Sequence, residues 1–403
     1  MPSEPPVTRV RLSCSLIGHS ELALAKARAP HSRGSGQAAG LSHGMNFASC
    51  RRSDRLPLHP PRQRDSRVDR KRVAAKASLK MGSLKTGPKA LPMAVDVVEV
   101  GRRLLPGLNR GEIHCRFEGG KLKVRSRAAW LERHVQVLTL IAEALASLGV
   151  RSLPPFYMLL GDTPSRRRHR HFRTRFAFSQ ADGYGEVAAP DFVFDGWPDA
   201  KFDDYDQKTQ AMAAASEQPP RDNRLFWAGR CMNAARKRIV EIASARPDLV
   251  EAYDTEANYD VATNRYSTKF MTMEDQVATY RYMIDVEGAG YSGRFKMLLH
   301  TKRVVLLQDR PWREWFFDDI EPFRHYVPVA RDMSDLAERI EWLRANPKLE
   351  AEIAAEARHF AQVRLTRAAA VAAWAKLLRD HIAAGGNLKS GLQGRKRATG
   401  WPP

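Results

Sequence analysis

A glycine-rich turn late in the chain has the residue types and the spacing that can hold a phosphate. The turn Gly288–Gly293 has G-x-G-x-x-G spacing and follows an apolar run, 280–286. Glycines let a backbone approach a pyrophosphate closely, and free amides at the start of a helix stabilise its negative charge. Arg294 and Lys296 would add positive charge beside it. The same spacing also fits a plain tight turn between a strand and a helix, so both interpretations stay open at this point.

The first half of the chain offers a candidate general base at the end of another short apolar run. Residues 156–160 predict a buried strand, and Asp162 lies in the loop that follows, just before Thr163-Pro164. Transfer of a group onto a hydroxyl needs a carboxylate or an imidazole that takes up the proton. An Asp in front of Thr-Pro is also a common turn former. Asp162 is therefore predicted either as the base or as a turn residue.

The glycine turn would also suit a nicotinamide-dependent oxidoreductase. In that fold an acidic residue near the end of the next strand binds the ribose, and Asp309 follows the apolar run 304–307. A dinucleotide fingerprint usually opens its domain at the first strand, however, whereas this turn lies late in the chain. The aromatic segment 310–317 also has no place in a cofactor half-domain. The oxidoreductase is therefore kept as the alternative.

The elements that would position these residues alternate between strands and helices. Apolar residues at helical spacing predict a helix over 130–148 that ends before Gly149, and further helices fill 334–384, with Ser334 as the first N-cap. Alternation of this kind predicts parallel sheets covered by helices. Because it occurs in both halves, we expect an α/β protein with two Rossmann-like lobes that face a cleft. The predicted strands of the second half are 225–227, 280–286 and 303–307, and its predicted helices are 233–245 and 294–300.

Three blocks of sequence resemble glycosyltransferase family 90, which includes capsule-associated transferases, protein O-glucosyltransferases and lipopolysaccharide-modifying enzymes. The blocks are YMIDVEGAGYSGRFKMLLHTKRVVLLQD at 282–309, WREWFFDDIEPFRHYVPV at 312–329 and DLAERIEWLRANP at 335–347. The resemblance extends more weakly over about 110–385. It implies a GT-B fold, a nucleotide sugar held mainly by the C-terminal lobe, and inversion at the anomeric carbon without a metal.

The resemblance also implies roles for individual residues. Asp162 falls where the family places its base, and Ser292 and Arg294 match positions that contact the nucleotide diphosphate. The segment 225–230 resembles the end of a family strand, but many members carry a basic residue where Ala228 stands, and Arg230 or Arg236 is the expected substitute. The predicted nucleotide-sugar-binding residues are Gly229, Arg230, Arg236, Gly288, Ala289, Gly290, Tyr291, Ser292, Gly293, Arg294 and Asp309.

The chain is expected to need no cofactor, with a UDP-sugar as donor substrate. Asp204-Tyr205-Asp206 matches the D-x-D motif of metal-dependent transferases, but three-residue matches arise by chance, and this one is predicted to be a loop without a metal. The basic run 166–171 is predicted either to attract an anionic acceptor or to be a solvated loop.

The net charge of +21 is concentrated at the N-terminus, where residues 1–92 hold 18 Lys or Arg against 5 Asp or Glu. This stretch is rich in Arg, Ser, Pro and Gly, which predicts a disordered extension. It fits a tail for acidic lipid or polymer, an organellar transit segment, or sequence upstream of a later start at Met45, Met81 or Met93. The remaining residues carry only +8, which argues against a nucleic-acid-binding face and leaves that class as a further alternative.

Four scattered cysteines without a CxxC pair, and the lack of any apolar run of about 20 residues, predict a cytoplasmic protein. The basic extension adds an expected peripheral contact with the acidic surface of the inner membrane. The predicted organisation is a basic extension over 1–92, an acceptor-side lobe over 93–210, a nucleotide-sugar-binding lobe with closing helices over 211–386, and a flexible tail over 387–403.

Together these observations predict an inverting glycosyltransferase. The donor would be a UDP-sugar, with glucose or xylose suggested by the resemblance. The acceptor would be a saccharide, such as lipopolysaccharide or a capsule glycan, or a protein hydroxyl.

Overall fold

The computed structural model describes residues 95–99, 111–126, 131–164, 173–255, 259–260, 265–266 and 271–389. All of them belong to one compact unit, Lys80–Pro403. The predicted basic extension up to residue 92, the basic run 166–171 and most of the predicted tail lie outside the described residues.

The first sheet contains six strands in the spatial order β1-β3-β2-β4-β5-β6. It is mixed: β2 pairs antiparallel with β3 and β4, and the other neighbours are parallel. The predicted parallel arrangement therefore holds for three of the five pairings and is wrong for the two that involve β2. The six strands are β1 Val95–Glu99, β2 Glu112–Glu118, β3 Lys121–Ser126, β4 Leu153–Leu159, β5 Arg175–Ala177 and β6 Val187–Ala188.

The antiparallel pairing begins at a two-residue hairpin. Gly119 and Gly120 connect β2 to β3 with φ angles of 61° and 76°, which glycine adopts without strain. Two consecutive positive φ angles match the right-handed twist of a hairpin. The Gly-Gly pair between alternating apolar residues was the sequence signal for this turn.

The second sheet is entirely parallel, as predicted, with the order β13-β12-β11-β7-β8. The chain runs from β7 outward to β8 and then returns to the other side of β7 with β11. The strand order therefore reverses between β7 and β11, which is where ligands bind in such sheets. Its strands are β7 Asp222–Gly229, β8 Val250–Asp254, β11 Tyr280–Asp285, β12 Val304–Gln308 and β13 Val327–Val329, and a separate hairpin pairs β9 Tyr259–Asp260 with β10 Arg265–Tyr266.

Eight helices lie in the described part of the chain. The helix predicted after the glycine turn is a single turn, and the predicted Ser334 cap was wrong, because α6 begins after Asp335. The helices are α1 Leu131–Leu148, α2 Tyr205–Ala215, α3 Ala234–Ala245, α4 Met273–Thr279, α5 Phe295–Leu298, α6 Leu336–Ala345, α7 Pro347–Arg364 and α8 Arg367–Ala383. None of the helices in these residues is long and apolar enough to cross a membrane.

The last helix returns to the first sheet. Trp374 of α8 is fully buried in a core that contains residues of both sheets, and its indole Nε1 donates to the carbonyl of Pro190 at 3.1 Å. At the end of α8, the ring of His381 bonds to Thr174 and to the carbonyl of Pro154. The C-terminal segment therefore stabilises both parts of the described chain.

Candidate functional site

A cavity of about 780 Å³ lies where loops of the two sheets meet. The sheet-one side of its wall includes Arg133, Asp162, Phe192, Trp197 and Lys201. The sheet-two side includes the end of β7 and the turn after β11, the two places flanking the reversal of strand order. The cavity therefore lies where the topology of the second sheet predicts a ligand.

Most of the predicted site residues line this cavity. Gly229 and Arg230 lie next to the wall residue Ala228, but they and Gly290 are not part of the wall. Asp309 is also off the wall, and its amide donates to the carbonyl of Val329 on the neighbouring strand β13. The predicted residues that do line the cavity are Asp162, Arg236, Gly288, Ala289, Tyr291, Ser292, Gly293 and Arg294.

Two half-buried guanidinium groups on the wall bond to backbone carbonyls. Arg294 donates to the carbonyl of Ala228 at 2.9 Å. Arg236 donates to the carbonyls of Glu287 at 2.9 Å and Arg230 at 3.1 Å. Neither forms an ion pair with a carboxylate of a described residue. Within the described part of the chain, the two side chains therefore carry positive charge without a directly paired carboxylate.

The electrostatic environment of these arginines favours a bound anion. Burial lowers the pKa of Arg236, and the nearby charge of Arg294 lowers it further. Burial also lowers the pKa of Arg294, although Asp285 partly offsets this effect. Arginine stays protonated in proteins despite such shifts. A diphosphate between the two groups would relieve their repulsion and compensate for their lost hydration.

Asn233 holds the second arginine in place. Its side-chain oxygen accepts from the amide of Arg236 at 2.9 Å and so caps α3. Its amide nitrogen donates to the carbonyls of Glu287 at 3.0 Å and Gly288 at 2.7 Å. One side chain therefore fixes the first turn of α3 against the start of the glycine turn.

The glycine turn offers the cavity backbone amides, whereas the helix that follows it is too short to contribute much. The amides of Ser292, Gly293 and Arg294 donate no hydrogen bond to a described residue. Helix α5 has only four residues, so the helix-end charge expected from the sequence is small. The hydroxyl of Ser292 donates to the buried carboxylate of Asp285 at 2.6 Å, and its proton is not directed at the cavity. The amide of Ser292 is therefore its only donor without an acceptor among the described residues.

The glycine turn touches the loop of the predicted base. A Cβ at Gly290 would lie 1.9 Å from the carbonyl oxygen of Asp162, far inside van der Waals contact. The same carbonyl accepts from the amide of Tyr291 at 3.4 Å and from the hydroxyl of Ser179 at 3.2 Å. The absence of a side chain at Gly290 therefore allows the Asp162 backbone to approach the turn. The sequence had instead predicted that the glycines of the turn allow a pyrophosphate to approach.

Asp162 pairs with an arginine that the sequence analysis did not identify. Arg133 Nη1 lies 2.6 Å from Asp162 Oδ1, and the carboxylate is one-third exposed to the cavity. Burial alone would lower the pKa of Arg133, but the charges of Asp162 and Tyr291 raise it overall. Arg133 therefore stays protonated. Arg133 precedes Asp162 by 29 residues on another element, which no local sequence pattern could connect.

Lys296 does not supply charge to the cavity, contrary to the prediction. It is fully buried, with its Nζ 3.0 Å from Asp191 Oδ2 and 2.6 Å from Glu314 Oε2. Burial raises the pKa of Glu314 to about 7, with Asp191 adding to this rise and Lys296 opposing it. The three side chains form an internal ion cluster that connects Asp191, from the sheet-one part of the chain, with Lys296 and Glu314 from the sheet-two part.

The D-x-D motif starts a helix, so its prediction as a loop was wrong. Asp204 accepts from the amide of Gln207 at 3.0 Å and caps α2. Asp206 accepts from the amide of Arg367 at 3.0 Å. Among the described residues, no three His, Cys, Asp or Glu side chains group as metal ligands.

Several other residues of the cavity wall were not predicted from the sequence. Trp197 presents aromatic surface and packs edge-on against the buried Phe192, and Lys201 of the wall adopts a left-handed backbone with φ of 64°. Lys208 and Glu274 form an ion pair at 2.6 Å across the wall. The unusual Gly196-Trp197-Pro198 sequence was the available signal for this region.

Comparisons with known proteins identify the family. The sequence profile described as glycosyl transferase family 90 matches residues 133–383. Protein O-glucosyltransferase 3 of Homo sapiens is 31% identical over 135 residues, which cover 33% of this chain and 26% of that protein. Protein O-glucosyltransferase 1 of Rattus norvegicus is 24% identical over 220 residues, which cover 51% of this chain and 56% of the relative. The chain thus matches only part of each relative.

A structural similarity was also found with HepE of Anabaena, solved in complex with UDP-glucose. It covers 60% of this chain and 76% of HepE, with 13% sequence identity and a TM-score of 0.33. The family profile covers more than half of the chain, from Arg133 on the cavity wall to the end of α8. The chain belongs to glycosyl transferase family 90.

Proposed function

We propose that this protein transfers a sugar from a UDP-sugar to a hydroxyl group, with inversion at the anomeric carbon and without a metal ion. The observation that carries the proposal is the pair of cavity arginines, Arg236 and Arg294, whose charges no described carboxylate neutralises. Departure of a nucleoside diphosphate places negative charge on phosphate oxygens. Preorganised donors at that position stabilise the transition state.

The donor half of the reaction is assigned to the second sheet. The diphosphate would contact Arg236, Arg294 and the amides that follow Tyr291. A guanidinium can bind two phosphate oxygens at once, and each such charged hydrogen bond contributes about 1.5–3 kcal/mol. The metal-free assignment rests on this cationic surface, which can take the charge-neutralising role of a metal ion.

The acceptor half is assigned to the first sheet, with Asp162 as general base. Its carboxylate would take the proton of the acceptor hydroxyl while the hydroxyl oxygen bonds to the anomeric carbon. The bond from that carbon to the diphosphate breaks, and its electron pair leaves with UDP. Base and diphosphate-binding groups come from different sheets, which supports attack and departure on opposite faces of the sugar.

Glucose is our first choice for the transferred sugar, because the relatives named above are O-glucosyltransferases, and xylose is the second. The same names favour a protein hydroxyl as acceptor, and a saccharide such as lipopolysaccharide or capsule glycan is the other candidate. Trp197 offers apolar surface that either acceptor could contact. We also propose a cytoplasmic location with peripheral contact at an acidic membrane surface, on the charge of residues 1–92.

A UDP-release assay with water as acceptor tests the proposal. The full chain is incubated separately with UDP-glucose, UDP-xylose and GDP-mannose, with and without EDTA. We expect UDP release from UDP-glucose or UDP-xylose that EDTA does not reduce, and little release from GDP-mannose. Absence of UDP release together with absence of UDP binding would overturn the proposal, and loss of activity in EDTA would overturn its metal-free part.

A further inference from the structure

Three arginines line the cavity, and their contacts divide them into two kinds. Arg236 and Arg294 bond to backbone carbonyls, without a described carboxylate partner. Arg133 instead bonds to the carboxylate of Asp162. A guanidinium already neutralised by a carboxylate is a weak site for a further anion, so Arg133 needs a different explanation.

Arg133 is fixed from several directions. Its Nη1 donates to Asp162 Oδ1 at 2.6 Å and to the carbonyl of Leu160 at 3.2 Å. Leu160 directly follows the carboxyl end of β4. Its guanidinium carbon lies 4.7 Å from the ring centroid of Phe192, within cation–π range. The group therefore holds one orientation relative to β4 and to the loop of Asp162.

This arrangement leaves the two carboxylate oxygens of Asp162 unequal. Oδ1 is held by Arg133, whereas Oδ2 receives no hydrogen bond from a described residue. The Asp162 side chain is one-third exposed and the backbone carbonyl of the same residue is held by Ser179 and Tyr291. Judged by the contacts of the described residues, Oδ2 is therefore the oxygen of Asp162 that is left to accept a proton from a hydroxyl in the cavity.

We propose that Arg133 is a positioning residue that acts through Asp162, holding Oδ1 so that Oδ2 receives the proton of the attacking hydroxyl. This inference rests on the proposed function. It assigns no contact between Arg133 and the nucleotide. Loss of Arg133 should therefore lower turnover and leave UDP binding unchanged, because the misplaced base acts on the acceptor and not on the diphosphate.

A double-mutant cycle separates this role from a structural one. The probe is UDP-glucose with water as acceptor: the water oxygen bonds to the anomeric carbon, its proton goes to Asp162 Oδ2, and UDP leaves with the electron pair. The variants are Arg133→Leu, Asp162→Asn and the double variant. We expect each single variant to release UDP at least about 10-fold more slowly than wild type, and the double variant to be no slower than Asp162→Asn. The KM for UDP-glucose and the Kd for UDP should change less than about 2-fold.

A second cycle with Arg133→Lys covers the case in which Arg133→Leu does not fold. The lysine keeps a positive charge but lacks the planar guanidinium that bonds to Leu160 and Asp162 through Nη1 and lies over the ring of Phe192, so its rate should lie below wild type. In either cycle, losses that multiply, a single Arg133 variant with wild-type turnover, or a weakened Kd for UDP would overturn the inference. Failure of the proposed function is seen separately, as absent UDP binding and release in the wild type.

Discussion

At the scale of single residues, the arginines and Lys208 on the cavity wall fall into two groups: those that pair with a carboxylate of the wall and those that bond only to backbone carbonyls among the described residues. Arg133 and Lys208 each pair with a wall carboxylate, whereas Arg236 and Arg294 bond to carbonyls. Sequence alone indicated Arg294, because it follows the glycine turn directly. It could not indicate Arg133, since the contact with Asp162 joins two elements that only the folded chain brings together.

The base assignment predicts a selective effect of Asp162→Asn. The amide keeps the size of the side chain but cannot take a proton, so UDP release from UDP-glucose should fall about 10²- to 10⁴-fold. The Kd for UDP should stay within about 2-fold of wild type. Asp182→Asn, an exposed change in the same part of the chain and away from the cavity, serves as control. Wild-type turnover in Asp162→Asn would exclude Asp162 as the base.

At the scale of elements, much of the second sheet could be predicted and less of the first. Strands β7, β11 and β12 and helices α1 and α3 lie close to their predicted positions, because their apolar periodicity is strong. The antiparallel β2–β3 hairpin was not predicted, although Gly119-Gly120 is a dipeptide typical of hairpin turns. The shortness of α5 had no clear signal, because the segment after Arg294 is apolar enough to continue as a helix.

The contact between the glycine turn and the Asp162 loop predicts a strong effect of Gly290→Ala. The new methyl group would overlap the carbonyl oxygen of Asp162 and approach Thr163 Cγ2 to 3.0 Å, so the turn and the loop must separate. We expect about 1–3 kcal/mol of destabilisation, seen as a lower Tm, together with slower UDP release. Gly185→Ala is the matched control, since its Cβ would meet no atom within 4 Å. A Gly290→Ala variant with the Tm and turnover of wild type would show that this contact does not constrain the site.

At the scale of the whole molecule, two long-range connections hold the described parts of the chain together. Helix α8 returns to the first sheet, with Arg367 bonded to Glu143 of α1 and to Asp195. The buried cluster of Lys296, Asp191 and Glu314 forms the other connection. Neither follows from local sequence pattern, because Arg367 and its partners, and likewise Lys296 and Asp191, are more than 100 residues apart and leave no periodic signal.

The ion cluster predicts a pH dependence of stability. Because the folded-state pKa of Glu314, about 7, exceeds its ordinary value, the contribution of this group to stability is fully present below pH 4.5 and is lost as the pH rises through 7. Glu314→Gln cannot ionise, so its Tm should decline less than that of wild type between pH 5 and pH 8. Glu352→Gln removes a carboxylate from the exposed surface of α7 and should keep the wild-type slope. Equal slopes in wild type and Glu314→Gln would contradict the role of this cluster.

The central claim is that Arg294 and Arg236 receive the diphosphate of the donor, and calorimetric titration with UDP tests it most directly. The account predicts that Arg294→Ala and Arg236→Ala each weaken the Kd for UDP by about 10- to 100-fold, the loss of one charge-assisted contact. Lys237→Ala, an exposed change on the same helix as Arg236, should bind UDP as wild type does. Wild-type affinity in both Arg294→Ala and Arg236→Ala would contradict the account.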